Sequence, residues 1–150
     1  MNIHFINSPE KRKSVSALNE QFGISELPYL LLWTGSEKIR AFSGSLSKDE
    51  IMKIGTIAPI ESIGLYLLKK EFDWRLSLDA TILLKNQISK SIIDISDEQL
   101  GMWIKGLDLN IKSDFKSTIA IKHNNDFIGC GKSNGEKIFN YIPKERRIKR

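Results

Sequence analysis

The 150-residue sequence predicts an α+β chain, a small N-terminal α+β domain followed by a small, partly closed β barrel. Three observations carry this. Short apolar runs bounded by Gly, Pro and Asn turn chemistry recur along the whole chain, and helix-start signals lie between them. No internal repeat or heptad run organises the sequence. The strand-like runs also crowd into the last third, where helix signals stop.

Asn2 to Asn7 reads as a short first strand. Ser8-Pro9-Glu10 then opens an amphipathic helix, with serine as cap, proline in the first turn and an acid at the positive dipole end. Val15, Leu18 and Phe22 form its inner stripe and Gly23 ends it. Pro28 to Trp33 and Lys38 to Phe42 flank Thr34-Gly35-Ser36 and read as a hairpin. Ser47-Lys48-Asp49-Glu50 fits a capping box for a helix through Ile54, and a domain boundary is placed at Ala58-Pro59, giving domains 1–59 and 60–150.

The second part is less regular. Ile60 to Leu68 fits either a strand or a helix. Ser77 caps a helix over Leu78 to Asn86, Ile92 to Ile95 reads as a strand, and Ser96-Asp97-Glu98-Gln99 is a second capping box whose helix ends at Gly106. Leu107 to Ile111 and Thr118 to Lys122 alternate as strands, and Asn124-Asn125-Asp126 turns the chain into Phe127-Ile128.

Charge is concentrated at one end. Residues 131–150 hold 7 basic and 2 acidic side chains, +5, which is the net charge of the whole chain, so residues 1–130 are neutral. A basic patch on a neutral body points to a polyanionic partner. Phe139, Tyr141, Ile142, Pro143 and Ile148 interleave with the cations, a pattern that can stack bases while neutralising phosphates. The start, MNIHFINSPEKRK, has no leader pattern, and the longest apolar run, Leu27 to Trp33, is too short to span a bilayer, so a cytoplasmic protein is expected.

Catalytic and metal readings find little support. The one cysteine, Cys130, lies between glycines with no histidine in a supporting position and reads as a small buried residue. His4 and His123 are isolated, and Asp97 and Glu98 belong to a helix start. No catalytic residue, metal site or cofactor is expected. Trp33 and Trp103 read as core, and Trp74 as a candidate for the binding face.

Gly129-Cys130-Gly131-Lys132, then Asn140-Tyr141-Ile142-Pro143-Lys144 with Arg146 and Arg147, resembles the C-terminal RNA-binding region of the Sun/nucleolar-protein family of RNA 5-methylcytosine methyltransferases. Gly64-Leu65, Lys69-Lys70 and Phe72, and Ile93 to Ser96 with Trp103 to Gly106, resemble the family's upstream segments. The resemblance covers residues 63–147. It implies a PUA-like pseudo-barrel, a glycine turn at 129–131, and structured RNA, ribosomal or transfer, as partner in RNA modification or ribosome assembly. The family's catalytic half, with its S-adenosylmethionine fold and Pro-Cys and Thr-Cys motifs, has no counterpart here.

The expected RNA-binding residues are therefore Lys132, Asn140, Tyr141, Lys144, Arg146 and Arg147, extended by Lys69, Lys70 and Arg75. Tyr141 fits a stacking platform or a core position, and Lys69, Lys70 and Arg75 fit the basic surface or a solvated loop. The other reading is an interaction subunit that docks on the ribosome or on a methyltransferase.

Overall fold

The computed structural model describes residues 2–149. Arg150, the last cation of the basic end, lies outside the described residues. Among the described residues, two antiparallel-dominated sheets and four α-helices fit the α+β expectation. The first sheet has the order β1-β2-β3-β4-β5, from β1 (His4–Phe5), β2 (Leu30–Thr34), β3 (Lys38–Phe42), β4 (Leu65–Lys70) and β5 (Trp74–Leu76). The second has the order β6-β7-β8-β9, from β6 (Ile92–Asp94), β7 (Thr118–His123), β8 (Asp126–Ser133) and β9 (Ile138–Asn140). The expected boundary at 59/60 falls inside the first sheet's connectivity, because β3 pairs with β4 across it. Both strands present an apolar face to one core, with Ile39 opposite Leu68, and that shared burial holds the two segments together.

Local sequence chemistry sets the helix ends. Asn7, rather than Ser8, caps α1 (Ser8–Phe22), its side chain accepting the Glu10 N–H at 2.9 Å. The capping boxes at Ser47/Glu50 and Ser96/Gln99 both form and start α2 (Lys48–Ile57) and α4 (Asp97–Trp103). Ser77 caps α3 (Leu78–Leu83), which stops at Leu83, where turns replace the expected last part of the helix to Asn86. Between them, the alternatives at Ile60 to Leu68 resolve to strand, beginning at Leu65. Leu107 to Ile111 makes only a single bridge, Leu109 to Ile138, instead of a strand.

The second sheet is covered on both faces, which explains why β7 is buried over four consecutive residues. Ala120, Phe127 and Cys130 face a core shared with Leu18 and Phe22 of α1 and Leu67 and Leu76 of the first sheet. Ile119, Ile121 and Ile138 face a second core with Trp103 and Ile142. One polar clamp joins the two sheets. Asp73, in the turn between β4 and β5, accepts the Thr118 N–H at 2.7 Å and the Thr118 hydroxyl at 2.6 Å. Gln21 of α1 completes it, exchanging two hydrogen bonds with the Trp74 backbone and donating to the Thr118 carbonyl. Thr118 is fully buried, so Asp73→Ala strands a buried hydroxyl and amide. The expected loss is about 2–4 kcal/mol in urea unfolding, with Asp73→Asn intermediate.

Candidate nucleic-acid interface

The β4–β5 hairpin of the first sheet lies beside β8 and the chain that follows β9. Cross-strand registry puts Lys69 opposite Arg75 on the hairpin, and Lys132 opposite Phe139 on the β8–β9 pair. The Arg75 guanidinium carbon lies 3.9 Å from the centroid of the Tyr141 ring, a stacked cation–π contact, and its Nη2 donates to the Tyr141 carbonyl at 3.4 Å. Residues 66 positions apart thereby make one platform.

Glu71 is the hub of the charges. Its Oε1 lies 2.9 Å from Lys69 Nζ and 3.5 Å from Arg75 Nη1, and Glu37 stands 3.7 Å from Lys69 on the far side. The hydrogen bond that Lys69 donates to the Glu71 carboxylate is what chiefly holds the ammonium's pKa above its ordinary value. Burial raises the phenols of Tyr66 and Tyr141 above theirs, with Glu71 adding to the effect at both and Arg75 opposing it. Tyr141 is half-buried, so the two alternatives for it converge: one side of the ring is packed and carries Arg75.

The remaining expected residues divide into framework and surface. Both amide hydrogens of Asn140 are spent, on the Trp103 and Leu107 carbonyls at 2.8 and 2.9 Å, and its Oδ1 accepts the Ile142 N–H at 2.8 Å. Asn140 is a staple that fixes the chain leaving β9. Arg147 donates from Nε to the Ile142 carbonyl at 3.0 Å and lies over Gly106, while the Ile148 N–H reaches the Ile104 carbonyl at 2.8 Å. The basic end up to Ile148 is thus docked on the end of α4.

Arg146 stands in a short 3₁₀ turn (Lys144–Arg146) with Nη1 at 3.2 and 3.1 Å from the two carboxylate oxygens of Asp79. Lys70, Lys132 and Lys144 make no ion pair among the described residues; Lys70 lies 5.8 Å over the Trp74 ring and Lys132 5.5 Å over the Phe72 ring.

Several expectations are corrected here. Gly129 to Gly131 is the interior of β8 and not a turn. Gly129, at φ +78°, occupies an irregularity in the β7–β8 register, and its N–H donates to Thr81. Gly131 is required by contact: a Cβ there would lie 2.7 Å from Trp103, Ile138 and the Phe139 carbonyl. Trp74 is 7% exposed and belongs to the core, and its own N–H and carbonyl are both held by Gln21. Trp33, read as core, is only partly buried, and its indole Nε1 donates to Glu10 at 3.4 Å.

Cys130 is fully enclosed and its thiol is pushed up to about 12 by burial. Native protein is expected to leave it unmodified by a disulfide reagent at pH 8, with full reaction on denaturation. A raised folded pKa means that the native state holds the proton more tightly than the unfolded one. The contribution of Cys130 to stability is therefore complete below the unfolded thiol's pKa of about 8.5 and falls as pH rises from there toward 12. Urea midpoints measured between about pH 8 and 11 check the sign, and Cys130→Ala should flatten that part of the fall.

Sequence reasoning gave no place to Glu71 and named Phe72 only as part of the family resemblance. Phe72 is 96% exposed at the hairpin tip, and Phe139 is 40% exposed. Glu71 at two and four positions from Lys69 and Arg75 was a readable signal; the partnership of Arg75 with Tyr141 had no local one.

Residues 90–148 match the family model described as the Methyltransferase RsmF PUA domain, which supports a PUA-like region of the Sun/RsmF family over this part of the chain. In fold, the chain is similar to the structure of a conserved PUA domain protein from Thermoplasma acidophilum, with a TM-score of 0.58 over 93% of each chain at 14% identity. No curated protein matches the sequence. No helix among the described residues is long and apolar enough to cross a membrane.

Proposed function

We propose that this chain is a non-catalytic RNA-binding protein that grips structured ribosomal or transfer RNA in RNA modification or ribosome assembly. A PUA domain is an RNA-binding class of module, and the match over 90–148 supports that class. The observation that carries the reading on this chain is the face where Arg75 stacks on Tyr141 beside Lys69, with Lys132 at the hairpin tip over Phe72 and Lys70 on the other side of the hairpin, over Trp74. Lys144 and Arg146 extend it. The cations neutralise phosphates, while the fixed ring and guanidinium supply flat surface for a base or ribose. Asn140 and Arg147 act in this reading by holding the segment in place. Residues 1–59 brace the face through β3 and α1.

A cytoplasmic setting follows from the reading, as does assistance to a methyltransferase that acts on the same RNA. Crosslinking to cellular RNA followed by sequencing tests it directly. Recovery of ribosomal or transfer RNA at uracils or cytosines facing Tyr141 is the expected result; recovery of no RNA above a Lys69/Lys70/Lys132/Lys144 alanine control is the contrary one.

The second reading, an interaction subunit docking on the ribosome or on a methyltransferase, is favoured by one feature. Helix α2 buries only Ile51 and exposes Met52, Ile54 and Ile57. A partner captured after nuclease treatment and lost in Ile54→Asp/Ile57→Asp would support it.

A further inference from the structure

Phe72 and Phe139 project from the sheet junction with a lysine over each ring. Lys132 Nζ lies 5.5 Å from the Phe72 centroid and Lys137 Nζ 5.4 Å from that of Phe139. Because Lys132 stands directly opposite Phe139 on the β8–β9 pair, the four side chains form a row that alternates ring, cation, ring, cation.

The backbone beneath Phe72 is fixed. Phe72 sits at a turn closed by the Glu71 N–H to the Asp73 carbonyl at 3.0 Å, and Asp73 is clamped to buried Thr118. A ring 96% exposed on such a turn cannot fold back into the core and contributes nothing to it. Apolar docking by a protein partner is disfavoured there, since it would bury both ammonium groups. Lys137 is 3.5 Å from Asp108, whereas Lys132 has no carboxylate partner among the described residues and is the cation open to a new anion.

We propose that this row is a binding site for a short run of unpaired nucleotides, with one base stacked on Phe72, another on Phe139, and the phosphate between them on Lys132. Single-stranded nucleic acid repeats the same alternation of flat ring and charge, and its bases have open faces, whereas bases inside a duplex have both faces covered. The site rests on the RNA-binding reading and narrows it: the RNA presents a loop, bulge or end beside its paired part.

The test uses the full chain and two labelled RNAs, a ten-residue oligouridine and a fully paired duplex, in fluorescence anisotropy. Phe72→Ala and Phe139→Ala are each expected to weaken oligouridine binding by roughly 5- to 150-fold while leaving duplex binding within about twofold. Phe72→Trp is expected to retain oligouridine affinity and to show quenching of the new indole on binding. Since Phe72 packs against no core, its variants report on the ligand and not on folding. Unchanged oligouridine affinity in both alanine variants, or duplex binding without oligouridine binding, overturns the site and leaves the RNA-binding reading intact. Binding of neither RNA by the unaltered protein overturns both.

Discussion

Trp103→Ala is expected to cost about 3–5 kcal/mol in urea unfolding, a larger stability loss than Asp73→Ala. The indole is wholly buried, its Nε1 donates to the Ile128 carbonyl at 2.7 Å, and its Cη2 lies against the space that Gly131 leaves open. Truncation removes the transfer free energy of the ring and leaves a cavity beside Gly131 and Ile138. A domain of this size is stable by roughly 5–15 kcal/mol, so the variant loses a large share of its total. Trp103→Phe keeps most of the packing and loses the hydrogen bond, for which about 1–2 kcal/mol is expected. A loss under about 1 kcal/mol for Trp103→Ala would mean that the second core is not organised around this residue.

The second large effect concerns RNA. Replacing Lys70, Lys132 and Lys144 together by alanine is expected to weaken binding by roughly 100- to 500-fold at ~0.1 M salt. Every lysine taken off a phosphate lowers the slope of log affinity against log salt by about 0.7–0.9, which is about 5- to 8-fold per lysine between 1 M and 0.1 M. These three are chosen because they make no ion pair among the described residues. Arg146 faces Asp79, and Lys69 and Arg75 share Glu71, so their removal also releases a carboxylate and mixes two effects. The triple variant should unfold at the urea midpoint of the unaltered chain. A loss below about fivefold would place the phosphate-binding groups elsewhere.

Much of the fold is written locally. The serine-to-glutamate and serine-to-glutamine spacings at 47–50 and 96–99 specify two helix starts through hydrogen bonds three residues apart, and both form as the sequence indicates. The PUA-like character of the later part was legible because several short motifs recur in order. What was not legible depends on sequence-distant pairing. Gly129 and Gly131 look like a turn in isolation, yet β7 and β9 flank that segment and keep it extended. The pairing of β3 with β4 over the intervening α2 could not be read from the Pro59 punctuation, which marks only the end of the helix.

The site was legible by charge and obscured by geometry. Arg147 and Asn140 were expected at the RNA surface, but the former lies over Gly106 and the latter's amide is consumed by three backbone groups. Lys69 and Arg75, distant in sequence from the basic end, lie beside it through the Arg75 stack on Tyr141, on a hairpin that the Asp73 to Thr118 clamp ties to the second sheet. Sequence carries the sign of a patch; only the fold decides which of its cations are already spent.

The most direct test of the central claim is the salt dependence of RNA binding by the unaltered chain, measured with a structured RNA that carries an unpaired loop. In the proposed reading Lys70, Lys132 and Lys144, together with Arg146 once it exchanges Asp79 for phosphate, make about four phosphate contacts, so log affinity should fall against log salt with a slope of roughly 3. An affinity independent of salt between ~0.05 and ~0.5 M would contradict an electrostatic grip on RNA, and with it the proposed function.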